Sequence, residues 1–219
     1  MALNKLKFNS LNVTPTAGKT VGFNSSAYGL EATLSGGAIT FIKKLTASSS
    51  STLSFVDGSS DVVLDSTYKE YLFIFHDIHH SEADRNFAFN LSTDSGSNYN
   101  VAKTTTFFYA THSEDDGGGA IEYRTGTDLA QGTGVQPMMQ GIKGDNDSSG
   151  AGYMHLFNPG STTFVKHFLC NNVLMQDNTL VQNTYIGGYG NTTSAIDAIQ
   201  FSVNSGNIDA GTITLYGIN

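Results

Sequence analysis

Strict alternation of apolar and polar residues constrains this chain most, and it is clearest towards the C-terminal end. Ile199, Phe201 and Val203 alternate with Gln200 and Ser202. After Ser205, Gly206 and Asn207 come Ile213 and Leu215, alternating with Thr212, Thr214 and Tyr216. Side chains two apart lie on one side of an extended backbone, so this period predicts two half-buried strands and their connection. The same pattern recurs in Phe87, Phe89 and Leu91, set off by Ala88 and Asn90. Tyr71-Leu72-Phe73-Ile74-Phe75 is apolar at every position, which predicts a central strand covered on both faces.

Further strands are predicted at Ile39–Leu45, Leu53–Phe55, Thr104–Ala110, Ala120–Arg124, Gln136–Ile142, Tyr153–Phe157, Phe164–Cys170, Thr184–Tyr189, Ala195–Val203 and Thr212–Ile218, with the Ser48–Ser51 tract as a loop. No segment keeps apolar residues at helical spacing for three capped turns. Asn171–Val181 comes closest, and its Asn-Asn start and Asp177-Asn178 pair predict a loop. Twenty-four glycines, three prolines, fourteen phenylalanines, ten tyrosines and no tryptophan fit aromatic strands joined by small-residue turns. The expected fold is all-β: an antiparallel β-sandwich, jelly-roll-like, over residues 37–219, preceded by an extended N-terminal arm over residues 1–36. The arm is short of large apolar residues. Its small clusters of Leu6, Phe8, Val13, Val21, Phe23, Tyr28 and Leu30 cannot build a core and suit attachment to a neighbouring surface.

Charge narrows the partners. Nineteen acidic against eleven basic residues give a net charge of −8, which supplies no footprint for a phosphate backbone, so nucleic acid is not an expected partner. No stretch approaches membrane-spanning length, and Met1-Ala2-Leu3-Asn4-Lys5-Leu6-Lys7 lacks the apolar run of a secretion signal, so synthesis in a cytoplasm and no membrane partner are expected. Cys170, the only cysteine, lies in an apolar run and reads as a small buried hydrophobe.

Candidate chemistry is sparse. His76-Asp77-Ile78-His79-His80 follows the central strand; on a continuing strand His76 and His80 share one face and His79 the other, so at most two converge on a metal. His155 and His167 flank Asn158–Thr162 and would approach one another in a hairpin. Asp145-Asn146-Asp147-Ser148-Ser149-Gly150 opens like an EF-hand loop, but Leu156 stands where the bidentate glutamate belongs. That loop and Glu114-Asp115-Asp116 are open to either calcium or solvent. No nucleophile elbow, phosphate-binding glycine loop or His-Glu-x-x-His occurs, and Glu31, Glu70, Glu82 and Glu122 sit in unremarkable contexts, so neither an enzyme nor a cofactor is expected.

Lys5–Pro15, Phe23–Glu31, Ala47–Phe55, Tyr68–Phe75 and Ser205–Gly217 resemble segments of structural proteins from tailed bacteriophages of marine bacteria. The resemblance covers both ends and roughly the first half of the chain. It implies a virion component, on the capsid surface, that binds the major capsid protein and itself as a homotrimer: a capsid decoration (cement) protein. The alternative it implies is a tail fibre or receptor-binding module for host glycans, for which Tyr123, Tyr185 and Tyr189 with Asn183 and Asn191 are the candidate platform.

Overall fold

The structure, a computed structural model, describes residues 38–176 and 179–219, together with the backbone of Thr20–Phe23 and Leu30–Thr33. The chain divides into two compact units, residues 1–38 and 39–219. In the first, Thr20–Phe23 (β1) and Leu30–Thr33 (β2) pair antiparallel, with Phe23 opposite Leu30. Of the attachment candidates, Leu6, Phe8, Val13 and Tyr28 lie outside the described residues, as do the side chains of Val21, Phe23 and Leu30.

The second unit is wholly β among its described residues. Its strands are Ile39–Thr46 (β3), Thr52–Val56 (β4), Glu70–His80 (β5), Arg85–Ser92 (β6), Lys103–Ser113 (β7), Gly119–Tyr123 (β8), Gln136–Ile142 (β9), Gly150–Phe157 (β10), Lys166–Gln176 (β11), Leu180–Gly190 (β12), Ala198–Val203 (β13) and Ile208–Ile218 (β14). Every pairing is antiparallel. One wide row runs β3-β14-β5-β10-β11-β12-β7-β8, and a narrower one runs β9-β6-β13-β4. The rows meet at the Gln176–Ile142 pair and, at the opposite corner, through the Ser50–Ile208 bridge. Strands therefore follow one another round a nearly closed, barrel-like wall.

Aromatic rings fill the interior, because the alternating positions that carry them all turn inward. Tyr71, Phe73 and Phe75 of β5 are buried, and so are Phe87 and Phe89 of β6, Phe55 of β4 and Phe201 of β13. The Phe201 ring lies 5.3 Å from Phe75, 5.5 Å from Phe73, 5.8 Å from Phe87 and 6.2 Å from Phe55 between ring centroids. Cys170 is buried with its thiol pushed well up by desolvation, as expected of a small inert hydrophobe.

The Asn171–Val181 segment corrects the expected loop: β11 continues to Gln176 and β12 begins at Leu180. Asn172 faces inward and is buried, and its Nδ2 donates to the Met138 carbonyl at 3.3 Å, which also accepts from Thr184 Oγ1 at 2.7 Å. On that side β9 has a single strand pair, at Ile142, so side chains of β11 and β12 supply hydrogen bonds that a neighbouring strand would otherwise give. A polar residue usually read as a turn former is here a pin across the barrel. The strand predicted from Phe164 likewise begins only at Lys166, Phe164 being exposed in the preceding loop.

Two lysines are buried where β7 and β11 begin. Lys103 and Lys166 both stand opposite Gly190 of β12, one on each side. Lys103 Nζ donates to Asn90 Oδ1 at 2.5 Å and the Val101 carbonyl at 2.8 Å; Lys166 Nζ donates to the carbonyls of Phe164 at 2.6 Å and Thr192 at 3.3 Å. Burial lowers the pKa of both, that of Lys103 from 10.5 to about 8. A lysine with a depressed folded pKa binds its proton more weakly when native, so native stability rises with pH between about 8 and 10.5. Raising the pH from 7.5 to 10 is expected to stabilise the wild type by about 2 kcal/mol relative to Lys103→Met, measured by urea unfolding. Parallel pH curves for the two proteins would show that Lys103 is not buried as a cation.

Candidate functional site

β5 is central in its row, between β14 and β10, but only one of its faces is covered. Leu72 and Ile74 are half-buried on the outer side of the wide row, which corrects the expectation that both faces are enclosed. That outer face is the most distinctive surface of the protein.

Its outward positions come from alternate residues of adjacent strands, five of them from β8 to β10. Register places one set of them in line: Tyr123 of β8, Phe108 of β7, Tyr185 of β12, Asn171 of β11 and Tyr153 of β10 stand opposite one another in turn. The Phe108 and Tyr185 rings stack at 5.1 Å with planes 8° apart. In the next line are Thr106, Gly187, Leu169 and His155. With no side chain at Gly187, a groove of about 420 Å³ opens here, lined by Phe108, Tyr153, His155, Leu169, Asn171 and Tyr185 among others. Phe108, Tyr153, Leu169 and Tyr185 are each 40–54% exposed, and Val173 and Val181 extend the apolar surface along β11 and β12.

No outward position on β7, β10, β11 or β12 is Asp, Glu, Lys or Arg. Carboxylates border the face at its ends: Glu70 at the start of β5 is engaged by His155 Nδ1, and Asp128 accepts from the Tyr123 hydroxyl at 2.8 Å. The Asn171 and Asn183 amides bond mainly to each other and to backbone, with Asn183 Nδ2 donating to the Asn172 carbonyl at 2.9 Å. The arrangement offers aromatic faces, short amides and the outward histidines His112, His155 and His167.

The candidate glycan residues are partly brought together. Tyr123 and Tyr185 belong to the aromatic line and Tyr189 lies on the same face further along β12, its ring 6.1 Å from His167. Asn183 sits beside the line, whereas Asn191 lies beyond β12 with its Nδ2 donating to Gln131 Oε1 at 2.6 Å. Phe108 and Tyr153, the other aromatic members, were not singled out from the sequence: Phe108 lies between Phe107 and Tyr109, where alternation does not say which ring faces out, and only the long-range register aligns the two.

The metal candidates do not assemble. Asp77 has φ +51° in a bulge where the β5–β14 register shifts, and Gly211 opposite it has φ +110°, with room for no Cβ against the Asp77 carbonyl 2.6 Å away. The bulge resets the alternation, so His76 points outward while Ile78 and His80 point inward, which overturns the shared face expected for His76 and His80. His79 Nδ1 sits 2.7 Å from Asp209 Oδ1 and its Nε2 3.2 Å from the Asp145 carbonyl. Asp145 is paired with Lys143 at 2.9 Å, and Asp115 Oδ1 is held by Ser113 and by the Gly117 amide at 2.9 Å. Among the described residues no group of three or more His, Cys, Asp or Glu side chains is placed to hold a metal ion. His155 and His167 do fall on the same outer face of paired strands, with His155 opposite Leu169.

Comparison with protein-family models, with curated proteins and with solved structures gives no match, so function is argued from the fold and this face.

Proposed function

We propose that this chain is a structural protein of a tailed-phage virion: a capsid decoration (cement) protein, built as a jelly-roll sandwich with an N-terminal arm, that docks on the head shell and bridges capsid subunits. The observation that carries this reading is strand order. The groups β3-β14-β5-β10 and β4-β13-β6-β9, with their chain numbering, follow the order in which the eight strands of a jelly roll alternate between two sheets. On this reading the β7–β8 and β11–β12 pairs are hairpins added beside β10. Jelly rolls recur in viral capsid and lectin domains. Fold alone does not assign function; the sequence resemblance to phage structural proteins gives the direction.

The role needs contact area and no chemistry. On this reading the broad uncharged face of β7, β10, β11 and β12 supplies that area between copies of the protein, and the acidic remainder keeps an outward surface soluble and unattractive to packaged DNA. The partners on this reading are the major capsid protein and, in a homotrimer, the protein itself. The arm would carry the link to the shell.

A second reading is favoured by one observation, the aromatic line from Tyr123 to Tyr153. Exposed rings beside amides suit the apolar faces and hydroxyls of sugars, and a tail fibre or receptor-binding module would use them on host glycans.

Tagging the protein on intact particles and imaging its position separates the two. Hundreds of copies over the head support the cement reading, and a handful at the tail support the fibre reading; absence from particles overturns both. Deleting residues 1–36 is expected to leave residues 39–219 folded while lowering retention on purified particles at least tenfold. Full retention by the truncated protein would remove the arm from the proposal.

A further inference from the structure

We propose that the outer face of β10, β11, β12 and β7 is where a second copy of this chain docks, with Tyr185, Leu169 and Tyr153 at its centre. The inference rests on the self-association in the proposed function and is independent of the virion itself.

The first ground is charge. The chain carries a net −8, so two copies repel one another over most approaches. On these four strands every outward position is free of formal charge, which makes the face one on which copies meet without that cost. Interface cores have this composition, depleted of charged residues and enriched in aromatic ones.

The second ground is size. Three strands of eleven residues and β10 of eight, at ~4.8 Å spacing and ~3.4 Å rise, make a face of roughly 650–700 Å². A stable pairing buries roughly 800 Å² on each partner, so the face is of the order such a pairing needs. A single sugar ring would cover only a fraction of it and leave Val173 and Val181 in water. A nucleic acid would require basic residues that the face lacks.

The third ground is preorganisation. Tyr185 is already stacked on Phe108, and Tyr153 stands edge-on to His155 at 5.3 Å, so the rings lose little freedom on being covered. The groove between them accepts side chains from a facing copy. Rigid aromatic anchors of this kind dominate binding energy where they occur.

The full chain is tested by sedimentation and light scattering across the micromolar range, beside Tyr185→Glu, Leu169→Glu and, on the opposite row, Thr52→Glu. The expected result is a wild-type mass of two or three chains. Tyr185→Glu and Leu169→Glu should each weaken association at least tenfold, with Thr52→Glu unchanged and circular dichroism showing all three folded. Where glutamate disturbs the sheet, Tyr185→Ser and Leu169→Ser make the same test. A wild type that stays monomeric, or an assembly indifferent to both sites, overturns the proposal. So does a monomer whose Tyr153 and Tyr185 signals shift on titration with methyl glycosides, because a sugar then occupies the face. An assembly broken by these substitutions but absent from phage particles would sustain this proposal and sink the virion reading.

Discussion

Phe201→Ala is expected to remove about 3–5 kcal/mol of stability, much of what a domain of this size possesses. The cost comes from position. Phe201 is fully buried and its ring meets four others, from β4, β5 and β6, so deleting it opens a void that no single neighbour fills. Phe201→Leu keeps most of the volume and should cost clearly less. Ile121→Ala, on a side chain 80% exposed at the β8 edge, should stay within about 0.5 kcal/mol. Urea unfolding of the three variants checks the ranking. A Phe201→Ala protein as stable as Ile121→Ala would mean that the two rows do not pack through this ring.

Acid is expected to destabilise the protein through His80. The imidazole is fully buried and neither ring nitrogen has a hydrogen-bond partner. Burial lowers its pKa to about 4; the neighbouring His79 and Arg85 charges act in the same direction and Asp209 opposes them. The unfolded chain protonates near the ordinary 6.5, so the stability contributed by neutral His80 is complete above that value and is lost as pH falls towards 4. Between pH 7 and pH 4 the loss amounts to about 3 kcal/mol from this residue. His80→Leu should lose that much less over the same interval, measured by denaturant titration at both pH values. Equal losses would show that His80 is solvated or paired.

The period-two signal made much of the wall legible in the sequence. β5, β6, β9 and β13 fall close to where alternation and apolar runs place them, because the inward positions of these strands are written as large apolar residues. The signal fails where a strand buries polar side chains. Asn172 looks like a turn former until β9 is seen to need a donor at Met138. It fails again at Asp77, where one left-handed residue reverses the facing of everything after it and sends His80 into the core. The candidate face was legible only in pieces. Tyr123 and Tyr185 were recognisable as aromatics in strands, but their line with Phe108 and Tyr153 depends on four registers between strands distant in sequence. Alternation in a single strand carries no information about register with its neighbours.

The pairing of β3 with β14 has a consequence for how the protein comes into being. β3 ends at Thr46 and its sheet partner begins at Ile208, so the first strand of the barrel has no ladder until β14 has left the ribosome. At 5–20 residues per second that is a wait of roughly 10–30 s, during which the alternating rings of β4, β5 and β6 emerge ahead of the strands that cover them. Closure by contacts so distant in sequence is slow in itself. The nascent chain is thus at its most adhesive just before β14 emerges, and that interval is when it most needs shelter.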